Sequence, residues 1–420
     1  MLVQFSVENF KSIREEQTLS MVASNYYEDF PENIIKLDTK GMKDVDLLKS
    51  AVIYGANASG KSNLMEAMYF VGWFIFNSAT RLNQGDEIAV EPFLLSDKFK
   101  SEPSTFCLSL IIGSVRYEYG FSLNSRQIFE EWLIGYPETK PRIIFDRIYQ
   151  NGEFKYKYSS KVKSKKYIED KTRNNALFLS VGAQFNDPDI TKIYQWFAKK
   201  FIPFSKIPDW VTASRIFTEE SKLKTRILKF LQSADIGIID LEVEKVSPDD
   251  IKADDDRPDE VADFPRKRIP VEGFLEPHFY HEAGAGANIR FNLNQESAGT
   301  VRYFELLGPW LYLLENGGCA YLDEIDRSLH PNLVRMLISL FHSKKWNKSN
   351  AQLVMTTHDA TLLTGGLFRR DQIWITEKSR EGATTLYPLS DYKVRQDESL
   401  QKGYLAGRYG GIPFLGSEIE

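Results

Sequence analysis

The sequence predicts a mixed α/β fold with a mostly parallel core sheet, and three observations support this prediction. An apolar run at 47–54 leads directly into a glycine-bearing turn. A helical pattern follows the turn from Ser62 to about Phe76, so strand, turn and helix form one unit. Two later apolar runs, 317–323 and 353–358, indicate further buried strands, because strands of parallel sheets are near-continuous hydrophobic runs.

The composition is that of a globular protein with two or three structural units. The chain has 420 residues, of which 42% are hydrophobic and 13% aromatic, and its formal net charge is −5. These values exclude a mostly disordered chain, and the charge gives no global basic excess for nucleic acid. Cys107 and Cys319 are too few for a disulfide framework, so we expect buried thiols in a reducing cytoplasm. No apolar stretch approaches the ~20 residues that cross a bilayer, so no membrane attachment is expected.

The other elements divide the chain into successive parts. An alternating strand opens the chain, with Val3, Phe5 and Val7 on one face. Short strands separated by turns then predict an antiparallel β lobe, and a mixed helical segment predicts an inserted helical lobe. The expected parts are the N-terminal core with the glycine turn, the antiparallel lobe, the helical lobe and the C-terminal core, at 1–90, 91–157, 158–235 and 236–420. The acidic residues of 249–263 predict a solvated loop.

The glycine turn matches the phosphate-loop pattern G-x-x-x-x-G-K-[ST] as Gly55-Ala56-Asn57-Ala58-Ser59-Gly60-Lys61-Ser62. Small residues let successive backbone N–H groups point at phosphate oxygens, and the helix start adds the positive end of its dipole. Lys61 is expected to reach the β- and γ-phosphates, and the Ser62 hydroxyl to bind Mg²⁺. With Asn63, these residues form the predicted nucleotide-binding loop.

Polar side chains end two of the apolar runs. Asp323 and Glu324 end the run at 317–323. A carboxylate at a strand end can hold Mg²⁺ through its water shell, which suits Asp323, and Glu324 would then polarise the attacking water. His358 ends the next apolar run, where it would hydrogen-bond a γ-phosphate or hold that water. Glu324 and His358 are therefore the predicted catalytic residues.

A second helix start precedes the acidic pair. Ser297 is a plausible N-cap, and Ala298, Gly299 and Thr300 open a helical pattern. A helix start of this kind either caps a helix and does nothing more, or binds phosphate. Both interpretations stay open from this helix start alone, and Ser297 and Gly299 are the candidate nucleotide-binding residues.

The order of these motifs resembles that of the ABC-type ATPase heads, which include transporter subunits and the SMC, RecN and RecF proteins. Residues 7–13, VENFKSI, resemble the N-terminal strand of this group. More narrowly, residues 296–300 and 329–331 and the tail at 407–415 resemble the bacterial AAA ATPases of the RloA, AbiL and overcoming-lysogenization-defect kind. The resemblance covers nearly the whole chain. Two positions depart from the group: S-A-G-T at 297–300 replaces the transporter signature L-S-G-G-Q, and His330 replaces the D-loop aspartate.

The resemblance implies a P-loop NTPase fold of ABC-ATPase type that binds ATP and Mg²⁺ and hydrolyses ATP. It implies a homodimer or higher homo-oligomer with ATP at the interface, each ATP contacting Lys61 of one chain and Ser297 of the other. It also implies a glutamine ligand for Mg²⁺, for which Gln184 is the candidate. Antiviral defence of the abortive-infection kind is implied as well, with the chain as sensor or scaffold for a separate nuclease or toxin encoded nearby.

Other functions remain open from the sequence. A RecF-like DNA-repair ATPase would need a local basic patch, for which 161–166 and 266–268 are candidates, so DNA is a possible partner. A transporter subunit is a weaker alternative, because no membrane partner is implied. A nucleotide-gated scaffold without catalysis is the third, and Glu324 argues against it, because a scaffold needs no general base.

Overall fold

The computed structural model describes residues 1–37, 45–138, 140–159, 162, 165–204, 210–246, 274–392 and 399–413. The chain forms two compact units. The first consists of Met1–Phe204, Asn316–Asp326 and Arg335–Glu420, and the second of Ser205–Glu315 and Arg327–Val334. The predicted acidic loop at 249–263, the basic run at 266–268 and part of the run at 161–166 lie outside the described residues. Within the described part, no helix is long and apolar enough to cross a bilayer.

The chain contains runs of consecutive strands, runs of consecutive helices and stretches in which the two types alternate. The strands are β1 (Leu2–Glu8), β2 (Gln17–Ser20), β3 (Ile34–Ile35), β4 (Leu47–Leu48), β5 (Ser50–Gly55), β6 (Ser104–Ile112), β7 (Val115–Leu123), β8 (Ile128–Tyr136), β9 (Arg142–Gln150), β10 (Glu153–Tyr158), β11 (Phe201–Phe204), β12 (Ile238–Val246), β13 (Phe274–Glu282), β14 (Asn288–Asn292), β15 (Cys319–Leu322), β16 (Gln352–Thr356), β17 (Ile373–Lys378) and β18 (Thr384–Pro388). The helices are α1 (Lys61–Asn77), α2 (Asp97–Ser101), α3 (Lys165–Lys171), α4 (Phe178–Gln184), α5 (Pro188–Lys200), α6 (Trp210–Glu219), α7 (Ser221–Ser233), α8 (Ala298–Asn316), α9 (Pro331–His342) and α10 (Leu400–Leu405).

A six-stranded sheet forms the core of the first unit, in the order β11-β15-β16-β5-β17-β18. Its neighbours are parallel except for β17 and β18, which are antiparallel. The predicted mostly parallel core sheet is therefore confirmed. β5, β15 and β16 are buried along their whole length, which is why apolar residues dominate each of them. Because parallel strands share one carboxyl edge, the segments that follow these three strands meet there.

A seven-stranded antiparallel sheet is the second layer of the first unit, in the order β10-β9-β8-β7-β6-β1-β2. The predicted antiparallel lobe is thus present, but it is larger than the expected segment 91–157. β1 pairs with β6 and β2 and belongs to this sheet, not to the core as predicted. The sequence alternation showed that β1 has a buried face, but it carried no information about which strand would pair with it.

The boundary of the predicted helical lobe also differs from the structure. Within 158–235, the short strand β11 pairs in parallel with β15 and extends the core sheet. The division between the two units falls at Phe204 and Ser205, so α3, α4 and α5 belong to the first unit. β11 has only four residues, F-I-P-F, with a proline among them, so its sequence pattern was too short to predict a strand.

Helix α1 is the main packing element of the first unit. Leu64, Met68, Val71 and Ile75 lie at helical spacing and are all buried. The Phe74 ring packs against Phe121 of the antiparallel sheet, with ring centroids 5.7 Å apart. Residues of β1, β5 and α1 share one hydrophobic cluster. The helix that begins at the phosphate loop is therefore fixed by both sheets.

A buried ion pair connects the antiparallel sheet to α4. Glu131 and Arg147 are both 0% exposed and lie 2.9 Å apart. The Glu131 carboxylate also accepts hydrogen bonds from the backbone N–H groups of Phe178 and Leu179, at 2.7 and 2.9 Å. Arg147 donates to the Ala176 carbonyl at 2.7 Å. Removing either charge would leave the other buried without its partner, at a cost of about 3–5 kcal/mol.

The second unit combines a small sheet with helices. Its antiparallel sheet has the order β12-β13-β14. Helix α8 runs from Ala298 to Asn316 with Pro309 inside it, and it begins at the predicted helix start. At Gly308 the backbone of α8 approaches α6, where a Cβ would lie 3.2 Å from the Ala213 Cα.

Both cysteines are inert thiols. Burial raises the pKa of Cys107 and of Cys319 to about 12. Neither forms a disulfide. The prediction that both are small buried hydrophobes is confirmed for Cys319, while Cys107 is partly accessible.

His342 at the end of α9 is a buried neutral histidine. Its Nε2 lies 2.8 Å from the Ser50 hydroxyl, and the Lys49 ammonium donates to its carbonyl at 3.3 Å. Burial lowers the pKa of His342 from 6.5 to about 3, with a smaller contribution from Lys49. The folded chain therefore resists protonation at this position.

We expect His342 to make the protein acid-sensitive. As the pH falls below 6.5 the unfolded chain binds a proton here, whereas the folded chain does not until about pH 3. The free energy of unfolding should fall by up to about 1.4 kcal/mol per pH unit from this group. Urea unfolding at several pH values should show a shallower acid slope for His342→Gln, whereas the control His330→Gln, at an exposed position, should keep the parental slope. Equal slopes in both variants would contradict the prediction.

Candidate nucleotide site

The phosphate loop connects the end of β5 to the start of α1. Ala58 and Gly60 have φ angles of 61° and 110°, in the left-handed region that favours glycine. A Cβ on Gly60 would lie 2.1 Å from the Thr384 Oγ1, so only glycine fits beside β18. The predicted loop and its flanking strand and helix are present as expected.

Lys61 lies inside the loop. Its Nζ donates hydrogen bonds to the carbonyls of Gly55 and Ala56, at 2.7 and 2.9 Å. The side chain is buried, which lowers the pKa of Lys61 to about 8, while the nearby carboxylates Asp323 and Glu324 oppose that shift. A phosphate would offer this ammonium stronger, charge-assisted acceptors than two carbonyls.

Thr356 connects the two acids at the end of β15. Its hydroxyl donates to Asp323 Oδ1 at 2.5 Å and accepts a hydrogen bond from the Glu324 backbone N–H at 2.8 Å. Thr356 is the last residue of β16, the strand that pairs with β15. The hydroxyl therefore fixes both the direction of the Asp323 carboxylate and the backbone from which Glu324 projects.

Glu324 has an unusual backbone conformation. Its φ is 53°, in the left-handed region that non-glycine residues seldom adopt. Such residues persist only where the surroundings hold them, and they cluster at functional sites. Here the hydrogen bond to Thr356 and the one from the Ile325 N–H to the Thr356 carbonyl, at 3.1 Å, hold it.

His358 lies two residues beyond β16 and is accessible. Burial of part of the ring, and then the Lys61 charge, lower the pKa of His358, while Asp326 opposes the shift. The imidazole is therefore neutral near pH 7 and can both donate and accept a hydrogen bond. Its backbone N–H approaches Asp326 Oδ2 at 3.4 Å.

The first unit thus brings together most of the predicted site. Lys61 interacts electrostatically with Asp323, Glu324 and Asp326, and His358 interacts with the same four groups. Ser62 is the second residue of α1 and is half-buried. This arrangement joins one ammonium, several carboxylates and one neutral imidazole at the carboxyl edge of the core sheet.

Asn63, which follows the loop, is connected to it through the side chains of Ser12 and Thr384. Its side-chain amide donates to the Ser12 hydroxyl at 2.6 Å, and that hydroxyl lies 2.7 Å from the Thr384 Oγ1. Thr384 Oγ1 in turn donates to the Ser59 carbonyl at 2.9 Å. The N-terminal motif that contains Ser12 therefore contacts the loop through side chains of β18.

The second helix start belongs to the second unit. Ser297 caps α8 as predicted, because its hydroxyl accepts from the Thr300 N–H at 3.1 Å. A Cβ on Gly299 would lie 2.8 Å from the Ser328 carbonyl, which explains the glycine. Glu296 is held by His281 of β13, with 2.5 Å between Oε1 and Nε2. Its role toward a nucleotide stays a prediction.

The prediction that Gln184 binds Mg²⁺ is wrong. Gln184 is an exposed residue at the end of α4, and Ser180 of the same helix donates to the Ile75 carbonyl at 2.6 Å. Ile75 lies 14 residues after Lys61, about 20 Å along α1, and four residues of α4 recover at most about 6 Å. The remaining separation is too long for a shared ion.

Sequence reasoning missed Thr356, Thr384 and His281. Thr356 occurs within the predicted strand, and only its register beside β15 reveals its role. Thr384 belongs to β18, which was not predicted at all. His281 lies on β13, and no local pattern connects it to Glu296. Each of these residues acts through a partner far away in the sequence.

A phosphate loop, a strand that ends in two acids and a strand that ends in a histidine lie on one parallel sheet. This combination defines the class of the protein as the ABC-type ATPase heads. A family model described as "AAA domain, putative AbiEii toxin, Type IV TA system" matches residues 50–364, and the chain belongs to this family. The match contains the phosphate loop, both acids and His358. Comparison with curated protein sequences finds no match.

Solved structures with a similar chain include SMC heads. An SMC head bound to the C-terminal winged-helix domain of ScpA is 15% identical, with a TM-score of 0.43 over 96% of this chain and 99% of that chain. The SMC head domain from Thermotoga maritima is 12% identical, with a TM-score of 0.40 over 92% and 98%. An Smc head with an extended coiled coil, bound to a ScpA domain derived from Pyrococcus furiosus, is 14% identical, with a TM-score of 0.39 over 97% and 98%.

We expect Thr356→Val to destabilise the protein. The variant keeps the volume of the side chain but leaves the buried Asp323 carboxylate without this donor, at a cost of about 1–3 kcal/mol. The control is Thr191→Val, because the Thr191 hydroxyl is buried and has no hydrogen-bond partner among the described residues. That control should change the free energy of unfolding by less than about 0.5 kcal/mol. Urea unfolding checks both values, and equal values would contradict the proposed bridge.

Proposed function

We propose that the chain binds and hydrolyses ATP, releasing ADP and phosphate. The observation that supports this proposal is the convergence of Lys61, Asp323, Glu324 and His358 at the phosphate loop. In the proposed reaction Lys61 binds the β- and γ-phosphates and Glu324 accepts the proton of the attacking water. Neutral His358 donates a hydrogen bond to the γ-phosphate or holds that water.

The residues present suit a magnesium ion. Asp323 offers a carboxylate oriented by Thr356, and Ser62 offers a hydroxyl at the start of α1. Hard oxygen donors of this kind, few in number, fit an ion that keeps several of its waters. When bound, Mg²⁺ would neutralise charge on the β- and γ-phosphates. Ser62 and Asp323 would hold it, and Gln184 would not.

The helix start at Ser297 is a second predicted phosphate-binding site, and it supports the proposal that two chains share each nucleotide. Ser297 and Gly299 open α8, a helix long enough for its free N–H groups and dipole to favour an anion. In the proposed homodimer, the γ-phosphate bound by one chain contacts this helix start of the other. A higher homo-oligomer built from such dimers is compatible with the same contacts.

The cellular role is proposed to be nucleotide-gated sensing in antiviral defence of the abortive-infection kind. The family description supports this role, since it names a toxin and a toxin–antitoxin system. The chain would act as sensor or scaffold, and a separate effector, a nuclease or toxin, would act on the cell. Among the described residues nothing favours a RecF-like DNA contact, and Lys166 of α3 is paired with Glu169 and Asp170.

Substitutions at the two acids should separate binding from hydrolysis. We expect Glu324→Gln to retain ATP binding but to lose turnover by about a hundredfold or more, because only the general base is removed. Asp323→Asn should instead lose Mg²⁺-dependent binding. Lys61→Ala, the control for the loop, should weaken ATP binding at least about tenfold, because charge-assisted hydrogen bonds are lost. Titration with a fluorescent ATP analogue and phosphate release measure these effects. Identical behaviour of the two acid variants would reject the assigned roles.

Mixing two inactive variants tests the shared site. Ser297→Arg should block closure of the dimer by bulk and charge while ATP binding to single chains stays nearly intact. When Ser297→Arg chains are mixed with Lys61→Ala chains, part of the phosphate release should return. One of the two composite sites in each mixed dimer then carries neither substitution. Mixed dimers that form but remain inactive would mean that the site is not shared or that the two sites are obligately coupled. Turnover by a proven monomer, independent of protein concentration, would reject sharing outright.

A further inference from the structure

The C-terminal segment 400–413 packs against the base of the phosphate loop. The segment consists of α10 and the glycine-containing turns that follow it. Gly411 lies so close to the loop that a Cβ would be 3.4 Å from the Gly55 Cα and 2.6 Å from the Ile375 Cγ2. The φ of Gly411 is 68°. Both the space and the backbone conformation therefore require glycine at this position.

Tyr404 connects this segment to the strand that leads into the loop. Its ring lies 5.3 Å from the Tyr54 ring, between centroids, and its hydroxyl donates to the Gly411 carbonyl at 3.1 Å. Tyr404 itself is buried.

The end of β17 fixes the segment from the other side. The Gly411 N–H donates to the Glu377 carboxylate at 2.9 Å, and the Tyr387 hydroxyl donates to the Tyr409 carbonyl at 3.0 Å. Glu377 follows Thr376, whose hydroxyl lies 2.6 Å from the Ser59 hydroxyl of the loop. The segment is thus held by the same strand that supports the loop.

The segment also reaches the loop that carries His358. Helix α10 packs against the short 3₁₀ helix Ala360–Leu363, which begins two residues after His358. Tyr54, the ring partner of Tyr404, donates its hydroxyl to the Asp359 carbonyl at 3.1 Å. One segment of 14 residues therefore touches both loops that would contact the γ-phosphate.

We propose that residues 400–413 are a positioning element, which holds the phosphate loop and the His358 loop at a fixed separation for hydrolysis. The inference rests on the proposed ATP hydrolysis. It deepens that proposal by giving a role to residues that do not contact the reacting atoms. Tyr404 and Gly411 are positioning residues, and their loss changes the relative placement of Lys61 and His358. Affinity for ATP, which depends on the phosphate loop itself, changes less than turnover.

Gly411→Ala tests this proposal against a matched control. Gly113 in the turn between β6 and β7 has a φ of 64° and nothing within 4 Å of a built Cβ, so Gly113→Ala carries the same backbone strain without the contact. Gly411→Ala should lose more thermal stability than Gly113→Ala, because the contact with Ile375 adds to the strain that both variants share, so turnover is compared per folded protein. Turnover of Gly411→Ala should fall about tenfold or more, since misplacement by ~1 Å costs up to about a hundredfold. Turnover and KM of Gly113→Ala should equal those of the parent, and the KM of Gly411→Ala should change less than its turnover. Equal turnover in the two variants would overturn the proposal.

Tyr404→Phe provides a variant that keeps the packing. It retains the ring against Tyr54 and removes only the hydroxyl, so a fold defect is not expected. Turnover should fall by about threefold to tenfold, the effect of a lost hydrogen bond, with KM nearly constant. Parental turnover in Tyr404→Phe, or a loss confined to KM, would overturn the positioning role.

Hydrogen exchange separates this inference from the proposed function. ATP added to the Glu324→Gln variant should slow amide exchange in 55–62 and also in 403–411. If neither segment responds, the nucleotide-binding proposal fails, and the inference fails with it. If only 55–62 responds, nucleotide binding stands and the positioning role of the C-terminal segment is overturned.

Discussion

The phosphate loop keeps its shape because strands β17 and β18 contact it where it has no side chains. Gly55 lies against the Thr376 side chain, and Gly60 against Thr384, at distances that no Cβ could occupy. The two threonine hydroxyls then bond to Ser59, one to its hydroxyl and one to its carbonyl. The loop is therefore preorganised by residues more than 300 positions later in the chain. The arrangement of its backbone N–H groups does not depend on the loop sequence alone.

Short motifs at strand ends were predictable, whereas long-range partners were not. The phosphate loop, Asp323, Glu324 and His358 each follow an apolar run, so the sequence indicated both their residue types and their common edge. Sheet membership was less accessible, because alternation assigns a face to β1 but does not say which strand pairs with it. The error at Gln184 has the same origin: a glutamine after an apolar run has no specific geometry, and α4 packs against the opposite end of α1.

Buried polar groups tie the N-terminal strands to the C-terminal part of the first unit. Gln352 of β16 accepts from the Leu2 N–H at 2.7 Å and donates to the Leu2 and Leu48 carbonyls at 3.0 and 3.1 Å. Arg369, which is 1% exposed, pairs with Asp371 and donates to three carbonyls of the segment 24–29. Such groups are costly when unpaired, so they specify one arrangement of these segments.

The position of Thr376, Thr384 and Gly411 in the chain has a consequence for biosynthesis. The ribosome makes the phosphate loop early, but the residues that complete its surroundings follow some 320 to 360 positions later. At about 5–20 residues per second, the loop waits roughly 20–70 s for its last partners. During that interval the nascent chain has a phosphate loop without the residues that hold it. Asp323 and Glu324 are also synthesised late. The phosphate loop therefore reaches its final surroundings only after most of the first unit has been made.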